Sequence, residues 1–482
     1  MSKLKLSTKL GYGCGDIFAG GAFLLVALLF LYFLVNIAGL DARLAGIVML
    51  IGRFWDAVTD PFMGYLSDRT RSRFGRRRLY FLIGIVPVWI SFALLWLPLS
   101  TNSQLLLFIY YTFAYLLFST VFTLVQVPYT ALLPELTADY KERASVSGIR
   151  LSFSAISAII AGTVPTLIIS RFTDEGNGHF AMGLIFGLLY ALPWLFVFLF
   201  TKENPSQAIQ SGNIHFFRDL LSTLRNKSFR QHAGLFIGSQ TAVDFLTALA
   251  KFYVIYVLLR EKEFVLIMAA LLLVPVLMMP VWIQVAKKFE KTTPMHVGLL
   301  VWALALLASL FIEPGSAGPA IFVVAALSGI GTSASVFVPW SILPEVTDVD
   351  EAMCGFRREG VYGGLATFLR KLAGGLALML VGFLLKAVGF AEQAAVQPES
   401  AISGIRLMFA LVPTAAILIA LIFSFRYKVN EKNHALLQQA VQSRRAGRPV
   451  SEPEQIQACE LLSGQRFDTL WVGAKVNQSA AE

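Results

Sequence analysis

The stretch Trp55-Asp56-Ala57-Val58-Thr59-Asp60-Pro61 places two aspartates four residues apart inside an apolar run near residues 43–67. A helix that crosses a membrane needs about 20 mainly apolar residues. A carboxylate near its centre costs roughly 2.5 kcal/mol or more, and such residues mark ion, proton or substrate pathways by default. The stretch therefore predicts an all-helical membrane protein with a polar pathway through its interior.

The composition agrees with a membrane protein, since 56% of the 482 residues are hydrophobic and only 15% are charged. A soluble globular chain would have roughly 25% charged residues. The net charge of +10 does not indicate a nucleic-acid partner, because the basic residues lie in short loops between apolar runs, where they set membrane topology. The three cysteines, Cys14, Cys354 and Cys459, are too far apart to predict a disulfide framework or a metal cluster.

Twelve apolar runs are long enough to span a bilayer. They lie near 11–37, 43–67, 79–98, 104–132, 150–170, 180–200, 232–258, 264–286, 295–313, 319–343, 361–386 and 403–426. The first run is preceded by Lys3, Lys5 and Lys9 and has no small-residue cleavage site after a short apolar core. We therefore expect it to be a retained span.

Lysine and arginine in the short loops predict the orientation. The loops after the second, fourth and eighth spans are basic, with six arginines at 69–78, Lys141 and Arg143, and three lysines at 287–291. The loops near 100–103 and 314–318 contain neither residue type. Because basic loops stay on the cytoplasmic side, we expect a multi-pass protein of the inner or plasma membrane with both termini in the cytoplasm.

The order of the spans divides the chain into two halves. Residues 1–200 are expected to form one six-helix bundle and 232–427 a second, joined by a cytoplasmic linker at 201–231 and followed by a polar cytoplasmic tail at 428–482. The linker contains Lys202, Arg218, Arg225, Lys227 and Arg230. Two such bundles resemble the major facilitator fold, in which the bundles enclose a midplane site and rock to give alternating access.

Several polar residues inside the spans predict a site. Asp56 and Asp60 share one helix face, and with Thr59 they offer hard oxygen ligands for Na⁺ or, if one carboxyl is protonated, a proton site. Asp16 in the first span adds a third acid. If the acids were only structural, Arg53 would be their partner.

Basic residues from both halves could balance these acids. Arg370 and Lys371 lie in the eleventh span and Arg150 begins the fifth. An intramembrane lysine is costly unless it is paired, so we expect Lys371 to face Asp56 or Asp60 and to couple the two bundles. Arg150 lies near a membrane boundary and could instead extend to the cytoplasm.

Aromatic residues offer further candidates for substrate contact, although in membrane helices they more often pack or lie at the interface. Those that could stack on a sugar ring are Tyr32, Tyr129, Trp340 and Tyr362. An enzyme is not expected, because the chain has no phosphate loop or nucleophile elbow and its five histidines have no metal-ligand spacing. We predict no cofactor besides a coupling ion, and a monomer.

Four ordered motifs carry a family resemblance. They are Gly11-Tyr-Gly-Cys-Gly-Asp16, Asp56-Ala-Val-Thr-Asp-Pro-Phe-Met-Gly64 with Asp68-Arg69-Thr70, Val127-Pro-Tyr-Thr-Ala-Leu132, and Arg357-Arg-Glu-Gly360 leading to Lys371. They resemble the glycoside-pentoside-hexuronide:cation symporters, the melibiose permease family. The resemblance implies uptake of sugars or sugar acids coupled to Na⁺, Li⁺ or H⁺.

The resemblance also implies roles for individual residues. Asp56 and Asp60 would bind the cation, with Thr59 and Thr123 as neutral oxygen ligands. Asp16 would bind sugar hydroxyls and Arg150 would shape the sugar pocket. Lys371 would link the two sites.

Three positions depart from the melibiose carriers. Gln126 stands where they have a sugar-binding acid, Thr130 where they have a stacking tryptophan, and Thr59 where the Na⁺-using carriers have an asparagine. Gln126 can still bond to hydroxyls, and the Arg370-Lys371 pair with Arg150 suits an anionic sugar such as a uronide. Segments 127–132 and 339–344 also resemble animal lysophospholipid symporters, so a zwitterionic lipid is the alternative substrate.

Overall fold

The computed structural model describes residues 4–137, 139–203, 222–314, 318–394 and 396–474, except for the side chains of 140, 141 and 144. Predictions that involve Lys3, Arg218, the side chain of Lys141, and the parts of the linker and tail at 204–221 and 475–482 lie outside the described residues. The described residues form helices and loops without any β-strand. The prediction of an all-helical protein is confirmed.

Six helices, α1 to α6, come from the first half of the chain. Helix α1 consists of four segments, Leu6–Gly13, Asp16–Leu25, Val26–Phe30 and Phe33–Ile37. The other five are α2 (Ala42–Arg69), α3 (Arg78–Leu95), α4 (Gln104–Leu136), α5 (Tyr140–Ile169) and α6 (Glu175–Phe200).

The second half contributes six more helices and two in the tail. Helix α7 (Lys227–Phe252) continues as Tyr253–Val257, and it begins before the predicted linker boundary at 231. The others are α8 (Phe264–Lys288), α9 (Thr293–Ala308), α10 (Ala320–Cys354), α11 (Glu359–Ala387), α12 (Glu399–Arg426), α13 (Glu431–Arg445) and α14 (Pro453–Ser463). Each of α1 to α12 coincides with one of the predicted apolar runs.

Eleven helices in the described part of the chain are long and apolar enough to cross a membrane. Helix α2 is long enough, with 28 residues, but it is absent from that set. Its interior contains Arg53, Asp56 and Asp60, so the residues that suggest a function also lower its hydropathy. The count of twelve spans therefore stays a prediction.

Side-chain caps mark the starts of several helices. Asp41 accepts a hydrogen bond from the Arg43 amide at the start of α2, and Asp174 accepts from two amides at the start of α6. Asn226 caps α7 through the Phe229 amide. These caps satisfy amides that have no partner within the helix, and they fix where each helix begins.

The two bundles meet along a seam that includes α1 against α7, α2 against α11, and α5 against α8. Alternating chain direction defines two ends of the molecule. The terminal side carries residue 4, residues 203 and 222 at the ends of the linker, and the tail helices, whereas the far side carries the loops before α2, before α8 and after α11. The seam differs between these ends.

On the far side the bundles are in close contact. A Cβ atom built on Gly46 of α2 would lie 2.8 Å from the Met379 carbonyl oxygen of α11, and one built on Gly382 would collide with the Ala42 carbonyl oxygen. Only glycine allows backbones to approach so closely. Lys386 of α11 is 3.2 Å from Asp41, so a salt bridge also crosses the seam. The far side is closed.

On the terminal side, the polar contacts seen around the loop between α2 and α3 lie within the first bundle. The Glu203 carboxylate accepts hydrogen bonds from the amides of Arg76, Arg77 and Arg78 at 2.7 to 2.8 Å, which caps α3. Glu135 pairs with Arg76 and, at 3.0 Å, with Arg77. The arginine-rich loop therefore anchors helices of the first bundle to one another.

The described part of the tail packs on the second bundle. Ser228 at the start of α7 donates to the Leu462 carbonyl of α14 at 2.7 Å. Arg445 of α13 pairs with Glu351 of α10, and His434 lies 2.8 Å from Asp348. The tail helices are thus attached to one bundle rather than across the seam.

Helices α1 and α7 share an unusual feature at the far side. Each ends in a π-helical turn, Phe33–Ile37 in α1 and Tyr253–Val257 in α7, and α1 has another π-helical turn at Val26–Phe30. Equivalent positions of these turns touch, since the Tyr256 hydroxyl donates to Asn36 Oδ1 at 2.8 Å across a sequence separation of 220 residues. Isolated π turns often occur at functional positions.

Candidate cation and substrate site

Lys371 joins the two bundles at the predicted cation site. Its Nζ atom lies 2.7 Å from Asp56 Oδ2 and 2.5 Å from Asp60 Oδ2. The lysine belongs to α11 and both aspartates to α2, so this contact crosses the seam. The pairing expected from the sequence is present, and both acids take part in it.

The two predicted threonines lie beside these carboxylates. Thr123 Oγ1 of α4 is 3.2 Å from Asp56 Oδ1 and 3.0 Å from Asp60 Oδ1, so its one proton can be donated to either. Thr59 Oγ1 donates to the Trp55 carbonyl at 3.0 Å and lies 3.3 Å from Thr123 Oγ1. Carboxylate and hydroxyl oxygens are hard ligands that suit a small alkali cation.

The alternative partner of the acids, Arg53, is placed differently. Its guanidinium lies over the Phe23 ring, 4.7 Å from the centroid, and its Nε has no hydrogen-bond partner among the described residues. Asp56 and Asp244 influence it only through longer-range electrostatics. A simple Arg53 pair therefore does not account for the aspartates.

A cavity of about 390 Å³ lies next to Lys371 between the bundles. It is lined by Ala57, Asp60, Pro61, Trp340, Gly363, Gly364, Thr367, Phe368 and Lys371. A Cβ atom built on Gly363 or Gly364 would meet nothing within 4 Å. Asp56 is fully buried, whereas the side chain of Asp60 is 31% exposed. A ligand in the cavity would thus reach Asp60 first.

The predicted substrate residues of the first bundle form a second cluster. Asp16 Oδ2 is 3.4 Å from Arg150 Nε, and the side chains of Gln126 and Ser154 also lie beside this carboxylate. Arg150 therefore contacts an acid inside the bundle, which is not the geometry of an arginine extended to the membrane surface. An acid, an amide and a guanidinium together can bind hydroxyls and an anionic group.

The aromatic candidates are divided between the cavity and the core. Trp340 is 49% exposed and lines the cavity. Tyr129 is fully buried and stacks on Tyr12 at 4.5 Å, with each hydroxyl bonded to the other residue's carbonyl oxygen. Tyr362 is buried and donates to Asp350 at 2.8 Å. In this conformation only Trp340 of these three residues borders the cavity.

Arg370 has a partner that the sequence analysis missed. Its Nη2 lies 3.3 Å from Asp244 Oδ1 of α7, and its Nε donates to Gln240 Oε1 at 3.3 Å. Asp244 is buried inside an apolar run, which is the same signal that identified Asp56. Applying that rule to every span would have found both Asp244 and the buried Lys251.

The described residues contain no group of three or more His, Cys, Asp or Glu side chains arranged to hold a metal ion. Asp56 and Asp60 are only two acids, and the Lys371 ammonium lies between them. A cation that bound there would have to displace this ammonium.

The comparison with protein families gives the decisive observation. Residues 11–431 match the model of the MFS/sugar transport protein family. The chain belongs to this family. The matched residues extend from α1 to the end of α12. Membership of the MFS/sugar transport family identifies the chain as a multi-pass membrane transporter of the major facilitator type.

Individual members and solved structures agree with this assignment. The chain is 29% identical to an uncharacterized symporter of Synechocystis sp., over 92% of this chain and 97% of the relative. It is 24% identical to the sodium-dependent lysophosphatidylcholine symporter 1 of Gallus gallus, over 86% and 84%. Its fold is similar, with a TM-score of 0.66 and 14% identity, to a bacterial homologue of the human lysosomal transporter Spinster, over 87% and 95% of the two chains.

Proposed function

We propose that this transporter is a cation-coupled symporter that imports a glycoside, an oligosaccharide or a sugar acid such as a uronide. The observation that carries the proposal is the contact of Lys371 with Asp56 and Asp60 across the seam, next to a cavity. The family description and the symporter relatives support it. The coupling ion would be Na⁺, Li⁺ or H⁺.

Ion binding is coupled to movement through Lys371. A cation bound by Asp56, Asp60, Thr59 and Thr123 replaces the ammonium as the counter-charge of the two acids. Lys371 then loses its partners, and a buried unpaired lysine is costly. A substrate that supplies an anionic or polar group to Lys371 removes that cost. Cation and substrate therefore favour each other's binding, as linkage requires.

Charge balance favours an anionic substrate. Around the central site, leaving aside Lys251 at the far side of the seam, the acids are matched in number by basic residues: Asp16, Asp56, Asp60 and Asp244 against Arg53, Arg150, Arg370 and Lys371. A bound monovalent cation adds one positive charge to this balanced set. Excess charge is costly inside a membrane. A monoanionic sugar would neutralise the charge that the bound cation adds, whereas a neutral sugar would not.

In this assignment both chain termini are cytoplasmic, so the terminal side is the inner face. The closed far side and the cavity near Gly363 then correspond to an inward-facing conformation. Asp16, Gln126 and Arg150 would bind the sugar from the first bundle, and Trp340 would stack against it from the second. Tyr129 supports this cluster from within the core, and Arg370 would hold an anionic group after leaving Asp244.

Ligand-dependent thermal stability of the purified protein tests the proposal. A ligand that binds the folded state raises its stability by mass action. Neutral glycosides, uronides, oligouronides and lysophosphatidylcholine are each measured with Na⁺, with Li⁺, and with neither across pH. The expected result is a stabilisation by uronides that depends on the cation. The Glu290→Gln variant, altered at an exposed loop carboxylate, is the matched control for Asp56→Asn, which should lose the cation dependence.

A lysophospholipid is the second candidate substrate, favoured by the similarity to the avian lysophosphatidylcholine symporter. Arg150 would then bind the phosphate. Stabilisation by lysophosphatidylcholine and by none of the sugars would replace the first proposal with this one. Stabilisation by a sugar with no dependence on cation or pH would contradict coupling through Asp56 and Asp60.

A further inference from the structure

Lys251 lies at the far side of the seam, where it faces the first bundle. It is 4% exposed, near the end of Lys227–Phe252 in α7. Its Nζ lies over the Tyr32 ring of α1, 3.9 Å from the centroid. The Tyr256–Asn36 hydrogen bond crosses the same seam about one helical turn away. Closure of the far side thus buries a cation between the bundles.

This ammonium has no close counter-charge in the described part of the chain. Glu175 and Glu261 act on it only through longer-range electrostatics. The neighbouring His179 supplies no negative charge, because an imidazole is either neutral or cationic; its Nδ1 donates to the Glu175 carbonyl oxygen at 2.7 Å. Tyr32 offers only the face of its ring.

Two other basic residues at the seam, Lys371 and Arg370, are better compensated. Lys371 has two carboxylates within 2.7 Å, and Arg370 has one at 3.3 Å. A cation–π contact contributes about 0.5–2 kcal/mol, whereas removing an ammonium from water costs several kcal/mol. Lys251 therefore destabilises the closed far side relative to a conformation in which water reaches it.

We propose that Lys251 is an entry subsite for anionic substrates. When the far side opens, its ammonium leaves the Tyr32 ring and lies hydrated at the mouth of the pathway, where it attracts a carboxylate, sulfonate or phosphate group. When the far side closes, the subsite is buried and the anion has to move on to the central site. This inference depends on the proposed function in one respect, namely that the substrate is anionic.

The electrostatic part can be tested without knowing the substrate. Asn36→Cys, one helical turn from Tyr32, is introduced as a reporter into protein carrying Cys14→Ala, Cys354→Ala and Cys459→Ala. Purified protein in detergent is labelled with an anionic and a cationic methanethiosulfonate of similar size, and the ratio of their rates measures the local potential. A neutral maleimide measures how often the far side opens.

Lys251→Met removes the charge and keeps a side chain of similar length. We expect the anionic-to-cationic rate ratio to fall about fivefold, as for a unit charge within several ångströms in a hydrated site. Labelling by the neutral maleimide should slow, because the closed state no longer buries an uncompensated charge. Lys251→Arg should restore the ratio.

Lys262→Met is the matched control, since it removes the same charge from an exposed position on the far side. An unchanged ratio in Lys251→Met, or an equal fall in Lys262→Met, would overturn the subsite. Faster neutral labelling of Lys251→Met would mean that Lys251 holds the seam closed. The thermal-stability assay separates this inference from the proposed function: a fall in the labelling ratio without any stabilisation by uronides keeps the subsite and rejects the sugar acid.

Discussion

The far and terminal ends of the seam differ in the contacts that their glycines and charged residues make. At the far end, glycines bring α2 and α11 into backbone contact, and the Asp41–Lys386 pair joins the bundles. At the terminal end, Glu203 and Glu135 bind arginines of their own bundle, and glycines of α11 border open space. This conformation is therefore held by contacts at the far end of the seam, while the bundles are free to separate at the terminal end. Lys371 lies between these ends, and in the proposed mechanism it is the contact that a bound cation changes.

The largest effect is expected at Asp56, where the seam contact is also the proposed cation site. Asp56→Asn should reduce coupled accumulation of substrate to the level of membranes without the protein, because the amide cannot balance a cation. Uptake into vesicles with and without an ion gradient is the measurement. Folding is checked by the elution profile, with Glu290→Gln as the control. Concentrative uptake by Asp56→Asn at the level of the control would remove Asp56 from the cation site.

The glycine contrast can be tested within one helix. Gly382→Ala places a methyl group against the Ala42 carbonyl oxygen, and overpacking of this kind costs about 1–3 kcal/mol. Far-side labelling of the Asn36→Cys reporter should therefore rise about fivefold or more. Gly363→Ala, where a Cβ meets nothing within 4 Å, should leave the labelling unchanged. Equal labelling of the two variants would mean that the far-side glycines do not set the closed state.

A substitution on the terminal side should change the stability of the protein rather than the closure of the far side. Glu203→Gln removes the negative charge that caps three amides of α3 and should cost about 1 kcal/mol. The melting temperature should fall by about 1 °C, while far-side labelling stays the same. Increased far-side labelling in this variant would contradict the separation of roles between the two ends.

The smallest effect belongs to the exposed salt bridge of the far side. Partial burial acts to raise the pKa of Asp41, but hydrogen bonds from Arg43 and Lys386 lower it to about 2. Because the pKa of Asp41 is lower in the folded protein, its ionised carboxylate stabilises the folded form at pH values above the ordinary aspartate pKa. This contribution to stability is lost as the pH falls through about 2. The bridge should therefore be complete from pH 5 to pH 8.

Asp41→Asn keeps the cap of α2 and loses the charge. Because exposed ion pairs contribute only about 0–1 kcal/mol, far-side labelling should increase by about fivefold or less, and by the same factor at pH 5 and pH 8. A ratio of mutant to native labelling that changes between these values would show that Asp41 titrates in this range.

Much of the fold follows from the sequence, because apolar runs of sufficient length leave a membrane helix few alternatives. The pairing of Lys371 with Asp56 and Asp60 was predictable for a related reason, since unpaired charges are excluded from lipid. Helical periodicity shows on which face of its own helix a residue lies, but it does not show which helix packs against that face. The burial of Tyr129 against Tyr12 and the Arg370–Asp244 pair depend on that packing, so the sequence alone did not predict them.

The π turns of α1 and α7 are arranged as two copies of one half-length chain would place them. Their equivalent positions differ by 220 residues, and Asn36 meets its own counterpart, Tyr256. Contacts between equivalent positions occur on a twofold axis, which in this architecture runs along the membrane normal. In an ancestor made of two identical half-length chains, that position would have touched itself. Fusion of the two genes would have allowed the pair to become different residues, a donor and an acceptor, as they are here.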